Sequence, residues 1–74
     1  MMKVIDTDAC VKAVFDQMAK KGMSIKELAY KLGLTVSSIY SWRRAGRMPS
    51  LDNLLAMSEI FGVELTELIK TKEV

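Results

Sequence analysis

Two segments with helical periodicity, residues 25–32 and 36–45, are separated by only three residues, and this spacing restricts the fold more than any other feature. In the first segment apolar residues recur at i, i+3, i+4 and i+7, the pattern of a helix with one buried side. Gly33 can adopt the left-handed conformation that ends a helix, and Thr35 can cap the start of the next one. The connection through Gly33 and Leu34 leaves room only for a sharp turn. We therefore expect two short helices joined by that turn.

The same periodicity predicts three more helices, which makes the expected fold all-α with five short helices. Ser24 and Glu27 have the spacing of a capping box at the start of the second helix. Ser50 is a suitable N-cap for the fourth helix, whereas Glu64 is a poorer cap for the fifth. The last four residues, 71–74, are expected to fray. The additional helices are predicted over about residues 7–21, 51–61 and 65–70.

Most apolar residues are needed for the core, because a chain of 74 residues hides only about 60% of its unfolded surface. Trp42 is expected to anchor that core, and Cys10 to be a small, half-buried apolar residue with a reduced thiol. The buried stripe of the first helix is expected to consist of Val11, Val14, Phe15 and Met18. That of the fourth helix is expected to consist of Leu51, Leu54, Leu55, Ser58 and Phe61.

The composition excludes several classes of function. With no His and one Cys, the chain cannot build a His-based triad, a Cys/His zinc site or a disulfide framework. We therefore expect no enzyme, no cofactor and no metal. No apolar run approaches the roughly 20 residues that span a bilayer, and the N-terminus lacks a secretory signal. These features predict one cytoplasmic domain, residues 1–74, with no membrane partner.

Charge is unevenly distributed along the chain. The net charge is +2, but residues 22–49 carry +4 and residues 50–74 carry −3. A basic middle segment can face a polyanion such as a nucleic acid, although a solvated basic face is the alternative interpretation. The basic residues of this segment are Lys26, Lys31, Arg43, Arg44 and Arg47.

One side of the third helix carries residues that do not need burial. On a helical wheel of about 100° per residue, Ile39 and Trp42 point toward the core, away from this side. Tyr40 is equally compatible with contact to a base or phosphate and with an ordinary half-exposed aromatic. The outward residues are Val36, Ser37, Tyr40, Ser41 and Arg44.

Residues 23–69 resemble the lambda-repressor-like helix-turn-helix domain of the Cro/CI (XRE) family of phage and bacterial regulators. The resemblance implies a compact five-helix DNA-binding domain whose helix-turn-helix is formed by helices 2 and 3. It also implies binding to double-stranded operator DNA, commonly as a two-fold homodimer. The match rests on residues 24–29, 32–35, 38–42, Gly46, 49–50 and 61–63.

Two groups of DNA contacts follow from this resemblance by position. Val36, Ser37 and Ser41 fall where family members read base edges, with Tyr40 and Arg44 beside them. The residues expected at DNA phosphates are Ser24, Lys26, Thr35, Arg43 and Arg47.

The chain also departs from the family pattern. Ile25 stands where the family often has Gln, and Arg43 where it frequently has Glu. The third helix carries no Gln or Asn, so bidentate contacts to adenine are missing. We therefore expect DNA shape and phosphate contacts to contribute more to recognition than direct base contacts.

Two functions are compatible with these features. The first is a sequence-specific transcriptional regulator, a Cro/CI-like repressor that places helix 3 in the major groove of an operator. The alternative is a protein-interaction module on the same fold, such as a phage antirepressor that binds another regulatory protein. Its contact patch would be formed by Ile25, Val36 and Tyr40.

Overall fold

The computed structural model describes all 74 residues and contains four α-helices, one 3-10 turn and two short strands. None of the helices is both long enough and apolar enough to cross a membrane. In chain order the elements are β1 (Lys3–Ile5), α1 (Thr7–Lys21), α2 (Ile25–Leu32), α3 (Val36–Ser41), α4 (Leu51–Phe61), the 3-10 turn (Leu65–Glu67) and β2 (Thr71–Glu73).

Every α-helix begins at a polar side chain that caps it. The Asp6 carboxylate accepts a hydrogen bond from the Ala9 N–H at 3.1 Å, and Ser24, Thr35 and Ser50 cap α2, α3 and α4 in the same manner. Because these signals are local, α1, α2 and α4 have the bounds predicted from the sequence. The Ser24 cap lacks the return bond of a full capping box, from its own N–H to the carboxylate of residue 27.

Helix α3 ends at Ser41, four residues before the predicted end at residue 45. The Ser41 hydroxyl donates a hydrogen bond to the Ser38 carbonyl, the group that the N–H of Trp42 would reach in a longer α-helix. That N–H bonds instead to Ile39 O at 3.1 Å, an i to i−3 bond. The N–H groups of Arg43 and Arg44 continue this pattern with bonds to Tyr40 O and Ser41 O at 3.1 Å, so the chain leaves the α-helix through tight turns.

The predicted fifth helix, residues 65–70, is wrong in length and type, since only Leu65–Glu67 form a single 3-10 turn. The Lys70 carbonyl accepts the Asp6 N–H at 2.9 Å, so the chain has already left the helical path there. The Glu67 carboxylate still accepts the Glu64 N–H at 2.8 Å, which stabilises the start of the turn. The five-helix count therefore becomes four α-helices and one turn.

The C-terminal residues 71–73 form a strand, so the expectation that residues 71–74 fray is wrong. The fold is mainly helical as expected, but the expectation that it has no strands is also wrong, because it contains two short ones. Strand β2 pairs antiparallel with β1, with Val4 opposite Lys72 and Ile5 opposite Thr71. Met2, which precedes β1, and Val74, which follows β2, exchange two hydrogen bonds of 3.2 and 3.0 Å, so the pairing extends by one further residue pair. The two chain ends are thus held together.

The core lies where α1 and α2 pack against α4 and where α3 packs against α2. Trp42 is buried in it as predicted, and Ala29 lies among the larger side chains. Leu51 and Leu55 were expected in the buried stripe of α4, but 64% and 50% of their surfaces are exposed. The stripe is narrower because Leu54, Met57 and Phe61 suffice to fill the space against α1 and α2.

Candidate nucleic-acid interface

The turn between α2 and α3 depends on the backbone conformation of Gly33, whose φ is +67°. The Leu34 N–H bonds to Ala29 O at 2.9 Å, and the Gly33 N–H bonds to Tyr30 O at 3.2 Å. This pair of bonds is the Schellman motif, which satisfies the last carbonyls of α2. A Cβ at Gly33 would contact nothing within 4 Å, so the backbone angle alone favours glycine there.

The outward side of α3 is exposed, as the helical wheel predicts. Val36 and Tyr40 expose 38% and 50% of their surfaces, Ser37 is exposed, and Ile39 on the opposite side is fully buried. Ser41 is only half-buried, at the edge of this surface. Helix α3 therefore presents a narrow, mixed polar and apolar surface to solvent.

Most hydroxyl groups around α3 already have partners within the protein. Thr35 Oγ1 accepts the Ser38 N–H at 3.1 Å and lies 2.9 Å from Ser38 Oγ. The Ser41 hydroxyl donates to the Ser38 carbonyl. Ser37 forms no such bond and is exposed, so among the serines of α3 its hydroxyl is free both to donate and to accept, as is the phenolic hydroxyl of exposed Tyr40.

The cations of the basic segment, residues 22–49, have no acidic partner. The one ion pair in the protein joins Lys12 and Asp16 on α1, 2.9 Å apart. Lys26, Arg44 and Arg47 are all exposed. Their positive charge is therefore available to an external anion.

Arg43 lies in an environment that the sequence did not indicate. Its guanidinium carbon is 4.7 Å from the centre of the Phe15 ring on α1 and 5.4 Å from that of Tyr40 on α3. Phe15 was predicted only as part of the stripe of helix 1. A contact between residues 28 positions apart leaves no local signal, so sequence periodicity does not reveal it.

The apolar patch expected for a protein partner is only partly assembled. Val36 and Tyr40 are exposed, but Ile25 is half-buried and packs against the core. A second apolar pair, Leu51 and Leu55, is exposed one helical turn apart on α4.

The comparison with known families agrees with this geometry. A sequence profile of the family described as helix-turn-helix matches residues 16–68. The chain belongs to this Cro/CI-type (XRE) helix-turn-helix family. No significant match exists among the curated proteins. The matched region begins within α1, includes the whole of α2, α3 and α4, and leaves out β1 and β2.

Family membership confirms the resemblance predicted from the sequence and has a consequence for function. The helix-turn-helix domain of this family is a DNA-binding domain of transcription regulators. DNA is therefore the partner that the family indicates for this chain.

Proposed function

We propose that this protein is a sequence-specific transcriptional regulator, a Cro/CI-like repressor that inserts α3 into the major groove of an operator. The observation that supports this best is the exposed side of α3 beside cations that have no acidic partner. Such a surface matches a groove flanked by phosphates, where side chains on the helix meet base edges and cations meet the backbone. Bacterial or phage DNA in the cytoplasm is the expected setting.

Direct contacts to bases come from five residues in this proposal. Ser37, with its free hydroxyl, donates to or accepts from a base edge, and the Val36 methyl groups contact a thymine methyl. Ser41 acts as an acceptor, because its proton is used within α3. Tyr40 and Arg44 flank these three residues, with Arg44 reaching a guanine or the backbone.

Contacts to phosphates come from the capping residues and the cations around the turn. Ser24 and Thr35 use their hydroxyl oxygens to cap helices, so they approach a phosphate as donors through the O–H. Lys26, Arg43 and Arg47 contribute charge. Because α3 carries no Gln or Asn for bidentate contacts to adenine, DNA shape contributes strongly to operator choice.

Binding as a homodimer is part of this proposal, since two copies double the phosphate contacts. If each subunit neutralises about three or four phosphates, the logarithm of the binding constant falls with the logarithm of salt concentration with a slope of roughly −5 to −7.

Fluorescence anisotropy tests the proposal, with DNA from upstream of the gene compared with scrambled DNA of the same composition. The titrations are made at two salt concentrations. Selective binding that weakens with salt supports a sequence-specific regulator. Equal, weak binding to both DNAs contradicts it and favours a protein-interaction module.

That alternative function, exemplified by an antirepressor, is favoured by one observation. Leu51 and Leu55 form an exposed apolar pair on α4, and exposed Val36 and Tyr40 lie on α3. Exposed apolar side chains that cluster are typical of contacts to another protein. Replacing Leu51 and Leu55 by Gln would weaken such a contact and leave DNA binding unchanged.

A further inference from the structure

Arg43 is the one cation of the basic segment, residues 22–49, whose guanidinium lies over aromatic rings. It lies over Phe15 at 4.7 Å and over Tyr40 at 5.4 Å, both within the roughly 6 Å of a cation–π contact. Phe15 is half-buried and packs against the core, so its ring has a fixed position. The arginine thus bridges α1 and the exposed side of α3.

No acidic group neutralises Arg43. The carboxylate nearest to Phe15 in sequence, that of Asp16, is paired with Lys12 at 2.9 Å. The guanidinium itself forms no hydrogen bond or ion pair within the protein, although its carbon lies over two aromatic rings. Its N–H donors have no acceptor within the protein and are therefore available to an external anion.

We infer that Phe15 and Tyr40 hold Arg43 in place as a preformed clamp for a DNA phosphate, with Phe15 as its positioning residue. This inference rests on the proposed function and adds to it a role for α1, which carries no direct DNA contact in that proposal. A planar guanidinium binds a phosphate through two parallel N–H bonds. A long side chain that is already ordered loses less conformational entropy on binding, so the Phe15 ring increases affinity without touching DNA.

The charge of Arg43 and its ordering by Phe15 have separate effects on DNA binding, and only the second distinguishes a held arginine from a freely moving one. Loss of the charge removes a phosphate contact and therefore lowers the salt dependence of DNA binding. Loss of the Phe15 ring leaves the charge in place but disorders it, so affinity falls while the salt dependence stays the same.

The test is a double-mutant cycle on operator DNA with Phe15→Leu, Arg43→Gln and the double variant, each titrated over a range of salt. Arg43→Gln is expected to weaken binding about tenfold and to reduce the size of the salt slope by about 0.9 per subunit. Phe15→Leu is expected to weaken binding about two- to fivefold, the size of an exposed cation–π contact, with an unchanged slope. The double variant should bind no more weakly than Arg43→Gln.

Arg43→Lys provides a second test that does not disturb the core. Lysine keeps the charge and the salt slope but not the planar, two-bond geometry, so we expect weaker binding at the same slope. Circular dichroism shows whether Phe15→Leu is folded at the temperature of the titration. If it is not, Phe15→Met, whose flexible side chain removes the ring but adapts to the space it fills, replaces it in the cycle.

Several outcomes overturn the inference. An unchanged slope in Arg43→Gln shows that no phosphate is bound, and full affinity in Arg43→Lys shows that the planar group is not needed. Losses that multiply in the double variant show that Phe15 acts independently of Arg43. In each of these cases the wild-type protein still binds operator DNA, whereas wild-type protein that does not bind DNA overturns the proposed function itself.

Discussion

The thiol of Cys10 exchanges hydrogen bonds with the backbone of Lys70, 60 positions further along the chain. The Lys70 N–H donates to Cys10 Sγ at 3.1 Å, and the thiol faces the Lys70 carbonyl oxygen at 3.5 Å. Cys10 is fully buried, in contrast to the half-buried residue expected from the sequence. The Lys70 backbone precedes β2 directly, so this contact joins α1 to the start of the C-terminal strand.

Replacing Cys10 with Ala should destabilise the protein. The substitution removes the acceptor of the Lys70 N–H and leaves a small cavity, so we expect the free energy of unfolding to fall by about 1–3 kcal/mol. Urea denaturation measures this, and hydrogen exchange at the amide of Lys70 should become faster. Cys10→Ser keeps both a donor and an acceptor and should lose less. Unfolding of Cys10→Ala at the wild-type urea concentration would show that the thiol does not hold the strand.

Two substitutions at Ser24 separate its structural role from its proposed role at DNA. Ser24→Ala removes the acceptor of the Glu27 N–H and should cost about 1 kcal/mol of stability. Ser24→Asp is an equally good helix cap, so its stability should match the wild type, but its negative charge repels a phosphate. We therefore expect Ser24→Asp to bind operator DNA more weakly while it melts at the normal temperature. Unimpaired DNA binding by the Asp variant would place Ser24 away from the phosphates.

The turn between α2 and α3 can be tested with a matched pair of glycine substitutions. Gly33 and Gly62 both end helices with positive φ, +67° and +70°, and a Cβ at either position would meet no atom within 4 Å. Alanine at either position should cost about 1 kcal/mol through backbone strain. Only Gly33→Ala should also weaken DNA binding, because it shifts α3 against α2. Equal DNA affinity of the two variants would contradict a requirement for this turn geometry.

Arg44→Ala should weaken operator binding by about 1–3 kcal/mol and leave the melting temperature unchanged, since its exposed side chain has no ion pair. Lys12→Ala is the matched control: it also removes one positive charge, but from a surface pair on α1 that contributes only about 0–1 kcal/mol to stability. Isothermal titration with operator DNA measures both variants. Similar losses for the two substitutions would indicate a general effect of net charge in place of a contact by Arg44.

Local signals explain why so much of the helical framework is predictable. A capping side chain, an apolar period and a terminal glycine all lie within one segment, so the bounds of α1, α2 and α4 follow from neighbouring residues. The end of α3 at Ser41 was missed because no glycine or proline follows it before Gly46, so the sequence carries no local stop signal there.

Some features of the candidate interface also follow from the sequence, whereas others depend on tertiary packing. The outward direction of Val36, Ser37 and Tyr40 follows from helical geometry, and their exposure agrees with it. The contact of Arg43 with Phe15 does not follow, since it depends on how α1 packs beside α3.

The sequence by itself determined the helix-turn-helix, because periodicity, caps and the glycine of a sharp turn act over a few residues and need no distant partner. Tertiary structure decided how the chain ends meet. Strand β1 and strand β2 form only because folding of the helices brings them together, and three-residue strands have little stability without such support. It also decided that Lys70 meets Cys10 and that Arg43 lies over Phe15, since both contacts join residues whose proximity arises from packing alone.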